Sequence, residues 1–257
     1  MATFVSADWV QSRLDDPDFV TIDTRFSMRH LMGHLKSAVN VPPPKMRDAQ
    51  GRLLPPEDLA TLFGAAGLGD ALVPVLYDGY DGRNSAMVAW ALEYLGRDDV
   101  HIMDVVYDEW KAQEREVLYR PVPRVARQFT VRVNAAVRAS IADISEATDL
   151  KLVDARSPEE YHGETEIDEK PGHIPSAVNV VWQELVGQDG RLICSDEKAR
   201  QVFEEAKIEQ GDRVVAYCKV GARAAVGYLA FKRLGYDVRL YDASYAEWEQ
   251  SGLPVEK

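Results

Sequence analysis

Cys218-Lys219-Val220-Gly221-Ala222-Arg223 is the stretch whose residue types and spacing best suit covalent chemistry. It joins a β-rich run at 213–217 to a helix-spaced stripe of Ala222, Val226, Leu229, Ala230 and Leu234, and so reads as a strand-to-helix turn. Three effects converge on a thiol placed there. Successive backbone N–H groups form an anion-binding concavity, the following helix points its positive end at the loop, and Lys219 and Arg223 add two positive charges. Together they favour the thiolate, the nucleophilic form of cysteine. Gly221 supplies the backbone freedom of a tight loop, and Val220 and Ala222 complete it. A buried, inert cysteine is the alternative, but inert cysteines are seldom followed by two cations and a helix start. Cys218 is therefore the candidate nucleophile, with Lys219 and Arg223 as candidate substrate-binding cations. Cys194 has only Arg191 as a close basic neighbour and is expected to be a bystander.

The elements that must position this loop occur twice. Asp23-Thr24-Arg25 recurs as Asp154-Ala155-Arg156, and the block from Gly33 to Val41 recurs from Gly172 to Val180. The offset is 131 for the first pair and 139 for the second, so the second copy carries an eight-residue insertion. It falls within His162–Pro171, a polar, acidic segment that reads as a loop. Val75-Leu76-Tyr77-Asp78 matches Val215-Ala216-Tyr217-Cys218 at offset 140, and Asp104, Tyr107 and Trp110 match Asp242, Tyr245 and Trp248 at offset 138. Landmarks in one order at near-constant offsets mark two homologous domains. They are expected at 1–120 and 139–257, joined by a basic linker at 121–138 that opens on Pro121-Val122-Pro123. Asp78 stands where the second copy has Cys218. A carboxylate does not belong in a dry core slot, so whatever fills this position should meet water, donors or cations.

Within each copy, β-rich runs alternate with helical spacing. Strands are expected at 19–23, 73–77 and 101–104, and again at 152–154, 213–217 and 238–242. Val88, Ala91, Leu92 and Leu95 form the first copy's helical stripe, and Gly96 and Gly235 are placed to end the two helices. The expected fold class is α/β, each copy a mainly parallel sheet flanked by helices. Sites in such sheets gather at the carboxyl ends of strands, where Asp23, Arg25, Asp78, Asp154, Arg156 and Cys218 all fall.

Composition narrows the remaining classes. A chain of 257 residues, at about 150 per domain, predicts roughly 1.7 domains. With 46% hydrophobic and 28% charged residues, disorder is excluded as the main state. No apolar run nears the ~18 residues of a membrane span, and Met1-Ala2-Thr3-Phe4 has no basic or greasy leader character. A soluble, cytoplasmic chain with no membrane partner is expected. A net charge of −12 repels phosphate backbones and argues against nucleic-acid binding. Residues 111–138 run the other way, with seven basic side chains against two glutamates, and read as a basic strap on acidic domain surfaces. Two cysteines and five histidines without ligand spacing make neither a disulfide framework nor a metal site, and no cofactor is expected. A reducing compartment suits one special thiol.

Together these motifs resemble the tandem-domain rhodanese family of thiosulfate and 3-mercaptopyruvate sulfurtransferases. The likeness covers nearly the whole chain. The strand-end Asp-x-Arg, the Gly-His-Ile-Pro-Ser-Ala-Val-Asn block from Gly172, the Tyr-Cys-x-x-Gly-x-Arg loop, and Tyr245-x-x-Trp248 with Gly252-Leu253-Pro254-Val255 stand in family order. The resemblance implies two rhodanese-like domains, the first catalytically silent, which Asp78 fits, and the second active. It implies that Cys218 takes the outer sulfur of a small anionic donor, holds it as a persulfide, and passes it to cyanide or a thiol, without metal or organic cofactor. It also implies that Arg156 binds the donor's oxyanion, the alternative being a salt bridge to Asp154 or Glu160. His34 and His173, repeated in both copies, are expected to serve the fold.

Two loop cations suit dianionic thiosulfate better than a monoanionic keto acid. Family members acting on mercaptopyruvate typically carry Gly, Ser and Thr in this loop. The loop also departs from the well-known thiosulfate pattern, whose third position is basic, since Val220 stands there. A phosphatase relative would read Cys-x5-Arg, whereas Arg223 closes a shorter Cys-x4-Arg loop. The other readings are a mercaptopyruvate sulfurtransferase and a persulfide carrier that docks a protein sulfur acceptor through the acidic insertion or the basic linker.

Overall fold

A computed structural model describes residues 2–120, 123–147, 149–188 and 190–257, so Pro121 and Val122 of the expected linker lie outside the described residues. The chain divides into two units, one of residues up to Asn134 with Gln188–Leu192, the other Ala135–Gly187 with Ile193–Lys257. The first unit carries β1 (Thr3–Val5), α1 (Ala7–Gln11), β2 (Phe19–Asp23), α2 (Ser27–Leu31), β3 (Val39–Asn40), α3 (Pro56–Ala65), β4 (Val73–Tyr77), α4 (Arg83–Tyr94), β5 (His101–Met103) and α5 (Tyr107–Ala112). The second carries α6 (Ile141–Glu146), β6 (Leu150–Asp154), α7 (Pro158–Tyr161), β7 (Val178–Asn179), α8 (Asp196–Glu205), β8 (Arg213–Tyr217), α9 (Ala222–Arg233), β9 (Asp237–Leu240) and α10 (Ser244–Trp248).

Both sheets are parallel, in the orders β1-β5-β4-β2-β3 and β7-β6-β8-β9. The expected strands are present, with β2, β4 and β8 at the expected bounds. The short strands β1, β3 and β7 hold too few residues to show a period in the sequence. The second copy reduces its counterpart of β1 to a single parallel bridge between Arg138 and Leu240.

Register fixes the site. Asp23 pairs with Tyr77 across β2 and β4, and Asp154 pairs with Tyr217 across β6 and β8. Each Asp-x-Arg therefore lies beside the residue that precedes Asp78 or Cys218. The repeated landmarks also form the two cores. Leu35, Ala38, Val75, Tyr77, Tyr107 and Trp110 cluster in one, and Ile174, Ala177, Val215, Tyr217, Tyr245 and Trp248 in the other. The repeated histidines are held by local backbone: His34 Nδ1 lies 3.0 Å from the His30 carbonyl oxygen and His173 Nδ1 2.9 Å from that of Tyr161.

The expected boundaries of 1–120, 121–138 and 139–257 differ from the observed units in three places, the first being that Ala135–Arg138 belong to the second unit. Residues 123–134 pack with the first unit, where the Arg127 N–H donates to the Gly64 carbonyl and the Arg132 N–H to that of Leu95. Gln188–Leu192 also joins that unit, through an Arg191–Asp104 ion pair of 2.9 Å and the Val106 N–H donating to the Gly190 carbonyl. Backbone bonding therefore holds much of the basic strap, and ion pairs to acids occur at Arg115 with Asp8 and at Arg138 with Asp242.

α4 and α9 are buried over most of their length rather than along one stripe, because alanines and Gly227 let neighbouring chain approach closely. Both end as expected on a glycine in the left-handed region, Gly96 at φ 95° and Gly235 at φ 83°. Among the described residues no helix is long and apolar enough to cross a membrane.

The two terminal glycines make a matched pair. A Cβ on Gly235 would meet nothing within 4 Å, whereas one on Gly96 would lie 2.3 Å from the Arg132 carbonyl oxygen. Gly235→Ala should cost about 1–2 kcal/mol of backbone strain, and Gly96→Ala distinctly more, because the strap must also move. Urea denaturation of the two variants measures the difference.

Candidate active site

The Cys218 loop is tied down from both sides. The Cys218 N–H donates to Ser244 Oγ at 3.2 Å, while the Tyr245 and Ala246 N–H groups donate to the Cys218 and Lys219 carbonyls at 2.9 and 3.0 Å. The Gly221 N–H donates to Cys218 Sγ at 3.1 Å, so the sulfur accepts from the concavity that the sequence places there. Gly221 has φ 87°, and a Cβ on it would lie 2.8 Å from the Asp242 carbonyl oxygen, so both backbone and space require glycine. Ala222 opens α9, and Val220 lies on the exposed side of the loop with 48% of its surface accessible. Cys218 itself is fully buried.

Arg223 grips the Glu160 carboxylate through two hydrogen bonds of 2.6 and 2.8 Å. Burial works against its charge, yet Glu160 and the Cys218 sulfur within its reach hold its pKa above the ordinary value. Cys194 has no such surroundings. Burial pushes its thiol up, against weak pulls from Arg233 and Lys198, which fits a bystander.

The first copy shows the same turn filled differently. Asp78 accepts from the Gly79 N–H at 2.6 Å, the Asn84 N–H at 2.9 Å, the Ser85 N–H at 3.1 Å and Asn84 Nδ2 at 3.2 Å. It does so at 2% exposure. The expectation that whatever fills this position meets water, donors or cations is answered by donors, which make the slot habitable for a carboxylate. Burial still dominates its titration and raises its pKa.

Arg156 makes the salt bridge to Asp154 that stood as the alternative to donor binding. It is fully buried, with Nε and Nη2 on Asp154, Nη1 on Asp168 at 2.7 Å and Nη2 also on the Gly172 carbonyl at 2.7 Å, and its guanidinium lies 3.9 Å from the Tyr245 ring centre. So committed, it does not present a fork to a donor in this structure. Arg25 in the first copy is held likewise by Asp23, the Gly33 carbonyl and the Tyr107 ring.

Lys219 is also occupied. Its Nζ donates to Asp168 Oδ1 at 2.7 Å and to Glu249. Burial opposes its charge, but these two carboxylates hold its pKa up. Three cations (Arg156, Lys219, Arg223) therefore meet four carboxylates (Asp154, Asp168, Glu160, Glu249) around the loop. The surplus of positive charge expected from the sequence is absent. The acids come from other elements, and Asp168 comes from the inserted segment. Comparing the copies would have pointed to them, because Gly79, Lys111 and Arg29 stand where the second copy has Lys219, Glu249 and Glu160. Among the described residues no cluster of His, Cys, Asp or Glu is placed to hold a metal.

Comparison with known proteins follows the same division. A family model described as a rhodanese-like domain matches residues 6–113 and 138–251. A thiosulfate sulfurtransferase of Azotobacter vinelandii is 30% identical over 264 residues, covering 96% of this chain and 94% of that protein. A Haloferax volcanii relative is 32% identical over 277 residues, covering 98% and 96%. Among solved structures, SseA of Escherichia coli, a 3-mercaptopyruvate sulfurtransferase, superposes with a TM-score of 0.86 at 25% identity, covering 95% of this chain and 99% of that one. EanB in complex with ergothioneine reaches a TM-score of 0.90 at 19% identity, covering 99% and 70%, and shows the shared fold.

The Arg223–Glu160 pair gives this site a pH dependence. Burial favours the protonated acid, but Arg223 and the Ser157 N–H outweigh it and hold the Glu160 pKa below its ordinary value of 4.5. A depressed pKa stabilises the fold above the unfolded value, and that contribution is lost as pH falls through the folded one. Glu160→Gln should cost about 1–3 kcal/mol at neutral pH, a deficit that closes as the native chain is acidified. Tm measured against pH for both chains checks this.

Proposed function

The chain belongs to the rhodanese family, and from that membership we propose that it is a sulfurtransferase that carries sulfur as a persulfide on Cys218. The single observation behind the residue assignment is the Gly221 N–H directed at Cys218 Sγ, in a turn whose counterpart in the first unit is filled by the chain's own Asp78. Cys218 attacks the outer sulfur of the donor. With thiosulfate, a new S–S bond forms to Sγ while the bond to the sulfonate sulfur breaks, and its electron pair leaves with sulfite. Loop N–H groups then stabilise the terminal sulfur anion as an oxyanion hole stabilises an oxygen. A thiol or cyanide acceptor attacks that sulfur and returns the Cys218 thiolate, a two-step covalent cycle. Cys194 and Cys218 are both free, which suits a reducing compartment such as the cytoplasm.

The name of the Azotobacter relative favours thiosulfate as donor. A specific observation favours a monoanionic donor such as mercaptopyruvate as the second reading: each of the three cations at the loop is already paired with a carboxylate.

Cys218→Ser should lower thiosulfate:cyanide activity by roughly three orders of magnitude or more, and Cys194→Ser should leave most of it. Incubation with donor alone should add the mass of one sulfur atom to native protein and none to Cys218→Ser. Loss of activity in the Cys194 variant with retention in the Cys218 variant would reverse the assignment. Thiosulfate and mercaptopyruvate assayed side by side decide the donor.

A further inference from the structure

Among the differences between the copies are the insertion and a lysine in place of Gly79, and these two meet at one point. Asp168, from the insertion, accepts from Lys219 Nζ through Oδ1 and from Arg156 Nη1 through Oδ2, each at 2.7 Å. Its neighbours are anchored too. The Glu169 N–H donates to Glu249 Oε2 at 3.0 Å, and the Tyr245 hydroxyl donates to the Lys170 carbonyl at 2.7 Å. An acidic loop that served only solubility would keep its carboxylates in water, but the Asp168 side chain is 1% exposed. Burying a carboxylate is costly unless it answers nearby positive charge, and the two cations answered here are those that flank the strand and loop of Cys218.

We propose that Asp168 is a specificity-determining residue that sets the charge of the sulfur donor this loop accepts. It acts through Lys219 and Arg156, and the inference rests on the persulfide chemistry proposed for Cys218. With Glu249 it cancels the field that the Cys218–Arg223 loop would otherwise present, so a dianion gains less from entering than the loop sequence alone suggests. Donors that carry one negative charge are discriminated against less.

Thiosulfate and an arenethiosulfonate test this cleanly. Both present a sulfur–sulfur bond to the same thiolate, and the thiolate displaces sulfite from one and a sulfinate from the other. They differ by one unit of charge. Asp168→Asn should raise kcat/KM for thiosulfate relative to the thiosulfonate by roughly five- to tenfold at low salt, and the gain should shrink as ionic strength rises. Asp168→Glu should return the ratio toward the native value. Glu249→Gln, which removes the other carboxylate on Lys219, should shift the ratio in the same direction and serves if Asp168→Asn does not fold.

A ratio unchanged within twofold in folded variants overturns the proposal, as does a parallel fall for both donors, which is the signature of a purely structural role. Intact mass separates this from failure of the underlying chemistry. If neither donor places a sulfur atom on Cys218 of the native chain, both readings fall. If sulfur is placed and the ratio does not move, only the Asp168 inference falls.

Discussion

Backbone N–H groups that converge where a strand turns into a helix must be met by an anion or an acceptor, and both halves of this chain are organised around that demand. Left unmet in a buried turn, each such donor costs as much as a lost hydrogen bond. The first half answers with the Asp78 carboxylate, held by Gly79, Asn84 and Ser85. The second answers with the Cys218 sulfur, which accepts from the Gly221 N–H. One backbone solution thus accommodates two different acceptors, and the one we propose as nucleophile is the sulfur.

Around that turn each unit uses the same frame. A strand-end aspartate grips an arginine two residues on, a tyrosine ring covers the guanidinium, and a backbone carbonyl takes a further N–H. Removing one partner from so buried a pair would strand the other charge, which gives the frame its rigidity. The repeated glycine block closes it, with Gly33 and Gly172 at φ 123° and 134° supplying the carbonyls that the arginines grip. The arginine that begins as a candidate ligand for substrate is part of this scaffold. The tyrosine above it, Tyr245, shares the burial and has its hydroxyl pKa pushed up to about 12, against the pull of Arg156.

Much of this was legible in the sequence because it is local or repeated. The β-rich runs of β2, β4 and β8, the terminal glycines Gly96 and Gly235, and the Cys218 loop each declare themselves within a few residues. The repeat then assigns them to two domains, whose family is now shown. The partners of the loop cations were not legible, for a physical reason. Lys219 meets acids 51 and 30 residues away, and Arg223 meets one 63 residues away, so their pairing exists only once the strands are in register. A sequence shows that charge is present, but whether that charge is free or neutralised is a property of packing. The brief strands β1, β3 and β7 escape for a different reason, since two or three paired residues carry no period.

Asp78 can also be seen as a ligand that the chain has bound to itself. Because its carboxylate is tethered to the turn it fills, its effective concentration there stands far above that of any free anion, and none displaces it. A first unit so filled offers no decoy to the donor that we propose for Cys218. Two open copies of an anion-seeking turn would compete for one anion, and the tether removes that competition without dismantling the fold that both copies share.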